Sequence, residues 1–307
     1  MTVLQHDDGV SSVWRPLDAA EAWQLKRAYG DDAVYTAGST LLRTQWEAGT
    51  ARIPRHMVDL SRIASFQGIR RQQHEVIVGS MATLAELRRN PDIHAMFPLL
   101  TEAARNIAAP SIRNLATIGG NIGSLIGDTI PALVIYEAEL IWFDGQQPAA
   151  QPILDWLESL DSPSSSERLL MQIRLPFPIS DSPDGSTEAS EYRPIAFYQK
   201  VGRREVFTPS VVTVAMQALL DETGRFTEVR LAAAGGQTRA ARLERAESVL
   251  LDRELTPDLL AELYPVILDE YSPKGDPFAS ADYRKSTAAN IIAAELWTAW
   301  NQRTWKE

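Results

Sequence analysis

Apolar positions along this chain recur with two periods, and the changes from one period to the other mark its elements. The first clear unit spans 33–48. AVYT at 33–36 reads as a strand and Ala37-Gly38 as a tight turn. Residues 41–48 then read as a helix that Gly49 stops and Thr40 is placed to cap. An amphipathic helix over 18–29, ending at Gly30, precedes this unit. Short strands are expected at 57–60 and 75–79, and Thr83-Leu84-Ala85-Glu86 has the spacing of a capping box for a helix that Pro91 closes. Over 98–108, Leu99, Leu100, Ala103, Ala104 and Ile107 share one helical face. Gly119, Gly120, Gly123 and Gly127 then fall within nine residues. A helix start follows at 129, with Pro131 in its first turn, and strands are expected at 139–143 and 168–175.

The segment 177–190 (FPISDSPDGSTEAS) has no period and is rich in Pro, Ser, Asp and Gly, which reads as a linker. Beyond it, strands are expected at 195–200, 211–220 and 226–233, the last two joined by a hairpin-like loop, DETGR. Helices are expected at 240–251, 257–269 and 281–300, with Thr256 and Ser280 as caps.

Composition narrows the chemistry. The chain has 307 residues, 45% of them hydrophobic, which suffices for two or three domains. There is no cysteine, so this chain carries no disulfide, thiol nucleophile or Cys-ligated cluster. The four histidines are far apart and none stands at metal-ligand spacing to another, so no metal site is expected. A net charge of -10 argues against a nucleic-acid partner. No apolar run approaches the length of a membrane span, and the acidic N-terminus does not read as a secretory signal; a cytoplasmic protein is expected.

No hydrolytic constellation emerges: there is no GxSxG motif and no distinctive carboxylate pair. What remains is two glycine turns, Ala37-Gly38-Ser39-Thr40 and Thr117-Ile118-Gly119-Gly120-Asn121. The first turn points a helix N-terminus at its own loop, an arrangement that suits a phosphate. Two such turns in one domain suit a ligand with a pyrophosphate. Taken singly, each is better accounted for as a tight turn between packed elements.

At these residues the chain resembles the FAD-binding medium subunit of the molybdenum hydroxylases, the xanthine dehydrogenase and carbon monoxide dehydrogenase type. The resemblance runs over nearly the whole length and is strongest over 78–121, where TIGGN is its most specific motif. Phe197 to Lys200, Arg203-Arg204, Ala234-Gly235-Gly236 and SADYR at 280–284 resemble the family's C-terminal domain. With the pattern above, the resemblance implies an α+β fold. A two-part FAD-binding domain would occupy 1–176: a small βαβ-type lobe over about 1–60 and a mixed or antiparallel sheet lobe with helices over 61–176. A linker at 177–190 would lead to a C-terminal domain at 191–307, a three-stranded antiparallel sheet packed with helices.

The resemblance also implies a cofactor, FAD, and its site. Ala37, Gly38, Ser39, Thr40 and Leu41 would form one pyrophosphate loop, and Thr117, Ile118, Gly119, Gly120 and Asn121 the other. Ile107 and Leu170 stand where the family places apolar residues near the flavin, Lys200 where it places a lysine by the flavin ring, and Asp128 where it places a carboxylate that hydrogen-bonds the cofactor. Three departures are visible. Ser39 replaces a usual glycine and Leu41 a common polar residue. The stretch from Asn121 to Asp128 is two residues short and lacks the usual Ser-Pro. Thr208 stands where an aspartate is frequent. The implied role is electron transfer in a heterotrimer, or its dimer, with an iron–sulfur small subunit and a molybdenum-cofactor large subunit, and NAD among the possible acceptors. Two other functions fit the same residues: a free-standing flavoprotein oxidoreductase, and a structural or assembly subunit that keeps the fold without FAD.

Overall fold

The computed structural model describes residues 11–160, 168–177, 193–202 and 210–304. Most of the expected linker, together with Arg203, Arg204 and Thr208, lies outside them.

The first lobe holds β1 (Ser12–Trp14), α1 (Ala19–Tyr29), β2 (Ala33–Thr36), α2 (Thr40–Glu47) and β3 (His56–Asp59). The strands form a parallel sheet in the order β1-β3-β2. Asp18 caps α1 by accepting from the Glu21 amide at 2.8 Å. The strand–turn–helix unit at 33–48 forms as the pattern predicts, with one correction at its cap. Thr40 is the first helical residue, and Ser39 is the N-cap, held at φ +53° with no side-chain capping bond.

The second lobe begins with β4 (Ile69–Arg71) and β5 (Glu75–Gly79), followed by α3 (Leu84–Arg89), α4 (Pro91–Met96), α5 (Pro98–Arg105), α6 (Pro110–Arg113), α7 (Ile118–Gly123) and α8 (Ile130–Ile135). It closes with β6 (Glu139–Phe143), β7 (Pro148–Pro152), α9 (Ile153–Ser159) and β8 (Leu169–Pro176). Its five strands are antiparallel, ordered β4-β5-β8-β6-β7. The capping box is present: Thr83 Oγ1 accepts from the Glu86 amide and the Glu86 carboxylate accepts from the Thr83 amide. Pro91 closes α3 and opens α4, because Asn90 caps the second helix as it ends the first.

The C-terminal sheet has four strands rather than the expected three: β9 (Arg193–Val201), β10 (Val212–Leu220), β11 (Phe226–Gly235) and β12 (Thr238–Arg242), all antiparallel in the order β12-β11-β10-β9. The segment expected to start a helix at 240 is instead the end of β12, where Ala241 and Arg242 pair with Ala233 and Ala232. Helix α10 (Glu244–Leu250) follows, then α11 (Pro257–Glu270) and α12 (Ala281–Thr304). The Ser280 hydroxyl accepts from the Tyr283 amide at 3.1 Å, which caps α12.

Alternation divides the residues of this sheet between two cores. Val212, Val214, Met216, Ala218 and Leu220 turn toward the C-terminal helices and join Leu259, Leu263, Ile292 and Leu296. Tyr198, Ala215, Ala232 and Ala240 turn the other way, into the core that Ile118, Ile122 and Ile130 to Tyr136 share with the second lobe. Small alanines on that face let α8 lie close against it, so the C-terminal sheet packs against the second lobe. No helix of the described residues is long and apolar enough to cross a membrane.

Candidate functional site

A cleft of about 940 Å³ lies where the lobes meet, within the size range of small-molecule sites. Ala37, Gly38, Ser39, Thr40, Leu41, Ile107, Thr117, Gly119, Gly120, Asn121, Asp128, Leu170 and Lys200 line it. Ile118 does not. The helical period of α7 turns it inward beside Ile122, and it is 1% exposed in the core.

The two glycine turns reach the cleft differently. Before α2, the amides of Gly38, Ser39, Thr40, Leu41 and Leu42 have no hydrogen-bond partner among the described residues; the first bonded amide is Arg43, to the Ser39 carbonyl. These donors sit at a helix N-terminus, where the backbone dipoles favour an anion. The left-handed Ser39 bends the chain into this shape, and Gly38 lets it pack: a Cβ there would meet the Leu115 carbonyl oxygen at 1.8 Å.

At α7 the amides are spent. Ile118 donates to Ala82 O, Gly119 to Ser80 O and Asn121 to Thr117 O, each at 2.9 Å, while Gly120 donates to Thr117 Oγ1 at 3.0 Å. The expectation that this turn gives amides to a pyrophosphate meets four amides that already have partners within the chain: two go to Ala82 and Ser80 and two to Thr117. Gly119 is needed because a Cβ would come within 2.6 Å of Ser80 O. What the turn offers the cleft is bare surface at Gly120 and Gly123 and the side chain of Asn121. The Asn121 Oδ1 accepts from the Thr129 amide and hydroxyl, at 3.1 and 2.6 Å, which leaves its NH₂ group without a partner among the described residues.

Asp128, from the loop after α7, and Lys200, on β9 of the C-terminal sheet, meet at the cleft wall, with Lys200 Nζ 2.6 Å from Asp128 Oδ2. Lys200 also donates to the Asn106 carbonyl at 3.2 Å. The 106–109 loop beside it is organised by Arg113, which is 8% exposed and donates to the carbonyls of Arg105, Ile107 and Ala108. Burial and the nearby Arg88 pull the Arg113 guanidinium below its ordinary pKa. This loop places Ile107 at the cleft and carries Ala108 at φ +48°.

Comparison with known proteins bears on what this cleft holds. Residues 8–178 match the FAD binding domain in molybdopterin dehydrogenase. Residues 196–297 match the CO dehydrogenase flavoprotein C-terminal domain. The chain belongs to the FAD-binding subunits of the molybdenum hydroxylase family. It is 27% identical to the carbon monoxide dehydrogenase medium chain of Hydrogenophaga pseudoflava, over 93% of this chain and 95% of that one. It is 28% identical to a putative xanthine dehydrogenase FAD-binding subunit of Escherichia coli K12, over 75% and 76% of the two chains. Its fold resembles a chain in a carbon monoxide dehydrogenase structure from H. pseudoflava, with a TM-score of 0.80, 24% identity and coverage of 95% and 97%.

The cleft of this FAD-binding subunit fits a large anion with an apolar part, which Met81, Ile107, Leu169 and Leu170 line. Besides the five unpartnered amides, Ser80 Oγ, Trp142 Nε1 and the Arg168 Nε are buried without partners, and all three residues line the cleft. An orphaned buried donor costs about 1–3 kcal/mol, which a bound ligand can recover. Among the described residues, the charged ones lining the cleft are Lys26, Arg168 and Lys200 against Asp128, a cationic wall in an acidic protein. No cluster of potential metal ligands occurs among the described residues. Ser80, Trp142, Arg168 and Arg113 were not among the residues expected from sequence. Each is brought in by strand register or helix packing and belongs to no local motif.

Proposed function

We propose that the cleft holds FAD with its pyrophosphate at the N-terminus of α2, and that the chain is the electron-transfer subunit between iron–sulfur clusters and a terminal acceptor. The observation that carries this reading is the row of unpartnered amides from Gly38 to Leu42 facing a cationic cleft. Bound FAD supplies electron exchange in single or paired steps, which suits a position between one-electron clusters and a two-electron acceptor. The chain supplies the rest. Amides and the Asn121 side chain hold the anion, and Ile107 and Leu170 shield the apolar part from water. Lys200 sets a positive charge where the C-terminal sheet meets the cleft.

The clusters would lie on a small subunit, because this chain has no cysteine to ligate them, and substrate oxidation would occur on a molybdenum-cofactor large subunit. A "medium chain" and a "dehydrogenase complex subunit" among the relatives support a multi-chain assembly. NAD is the acceptor we would test first. The division into an FAD domain at 1–176 and a C-terminal domain at 191–307 belongs to the same proposal, and two separate family matches support it.

The test is to express the chain with its neighbours, purify it, and record its visible spectrum and reoxidation by NAD. Flavin absorbance, copurification with a cysteine-rich and a molybdenum-containing subunit, and NAD-dependent reoxidation are expected. A colourless chain that takes up no added FAD contradicts the cleft assignment. A flavoprotein that purifies alone and turns over a substrate contradicts the electron-relay role.

A further inference from the structure

The Asp128–Lys200 pair is held from behind by side chains that do not themselves line the cleft. Asp128 ends the loop that follows α7, yet its side-chain partners come from the C-terminal sheet. Oδ2 accepts from Lys200 at 2.6 Å and Oδ1 from the Thr213 hydroxyl at 3.2 Å. The Asp128 main-chain carbonyl accepts from the Tyr198 hydroxyl at 2.9 Å. Lys200 and Thr213 are direct cross-strand partners, and Tyr198 lies two residues before Lys200, so alternation puts all three on one face of the sheet.

The hydroxyl protons can be assigned by counting. A threonine hydroxyl has one proton and a carboxylate only accepts. The Thr213 proton therefore goes to Asp128, and Thr213 accepts in turn from Ser210, whose Oγ is 2.8 Å away. Thr213 is fully buried, where a valine would fill the same shape; the hydroxyl is needed only because Asp128 is there. Burial first, and then the charge of Asp128, raise the Tyr198 phenol well above its ordinary pKa, so it stays a neutral donor.

We propose that Thr213 and Tyr198 are positioning residues for the cofactor cleft: they fix Asp128 by its side chain and its backbone, and through Asp128 they fix the Lys200 ammonium at the cleft wall. This rests on the FAD reading above. Because Lys200 also bonds the Asn106 carbonyl, the same clamp ties the C-terminal sheet to the adjacent 106–109 loop.

The test is a set of FAD titrations of the purified full chain, each variant taken to saturation, with melting temperatures measured without FAD. The variants are Thr213→Val, Thr213→Ser, Tyr198→Phe, Asp128→Ala and the double variant Thr213→Val with Asp128→Ala. Loss of one hydrogen bond to a charged group predicts FAD affinity about tenfold weaker in Thr213→Val, with Tyr198→Phe weakened in the same direction. Thr213→Ser is expected to bind as the wild type does. In the Asp128→Ala background, Thr213→Val should cost nothing further, because the group it positions is gone. An equal loss in both backgrounds assigns Thr213 to general packing and overturns the proposal. So does wild-type affinity in both Thr213→Val and Tyr198→Phe. Should Thr213→Val melt too early to titrate, Tyr198→Phe with and without Asp128→Ala decides the same question. A wild-type chain that binds no FAD overturns the cleft assignment itself, a failure visible before any variant is made.

Discussion

In the turn before α2, five successive amides, Gly38 to Leu42, have no partner among the described residues; in the turn at α7, the amides of Ile118, Gly119, Gly120 and Asn121 are all bonded within the chain. Both turns carry a glycine that packs against backbone, Gly38 against Leu115 and Gly119 against Ser80. Glycine therefore does not distinguish them. What does is where the preceding chain goes. The first turn bends through a left-handed residue and leaves its helix N-terminus open. The second is bridged to Ala82 and Ser80 and capped by Thr117, which closes its N-terminus. A glycine-rich turn becomes an anion site only where its amides are not already used.

This contrast can be broken at three positions. The largest effect is expected at Gly119. A valine there would drive its Cβ into the Ser80 backbone and should cost about 3 kcal/mol of stability without FAD present, read from urea unfolding. Unchanged unfolding with lost FAD binding would mean that Gly119 serves the ligand and not the fold. Next comes Gly123, which lines the cleft and whose added Cβ would meet no protein atom within 4 Å. Gly123→Val should leave unfolding within about 0.5 kcal/mol of wild type. It should weaken FAD by about tenfold, or about 1.4 kcal/mol. Full affinity in this variant would place the cofactor away from α7. The smallest effect is expected at Ser39, held in the left-handed region at φ +53°. Ser39→Gly relieves that strain at some cost in chain entropy and should gain about 0.5 kcal/mol while keeping FAD. A loss of stability would show that the serine side chain supports the turn.

The legible parts of the fold are those whose signals are local. The change of period from AVYT to the following helix gave the β2–α2 unit, and Thr83 with Glu86 announced a cap that is present. TIGGN was legible as a motif that lines the cleft, Ile118 apart, but not as the helix α7. Gly-Gly is a poor helix former, and the turn is made by bonds to Ala82 and Ser80, far away in sequence. The same reason hides β12: TRAAR has weak strand character and is held by its pairing with β11. In the cleft, residues carried by short motifs were found. Ser80, Trp142 and Arg168 were not, because each arrives through the register of a strand or the end of one, and no spacing in the sequence encodes that meeting.

The division of labour between the two turns is tested most directly by backbone amide hydrogen exchange in the full chain, with and without FAD. The amides of Gly38 to Leu42 should exchange rapidly in the FAD-free chain and become protected when FAD binds. Those of Ile118 to Asn121 should be slow in both states. Protection gained at 118–121 with no change at 38–42 would contradict the assignment of the pyrophosphate to the first turn.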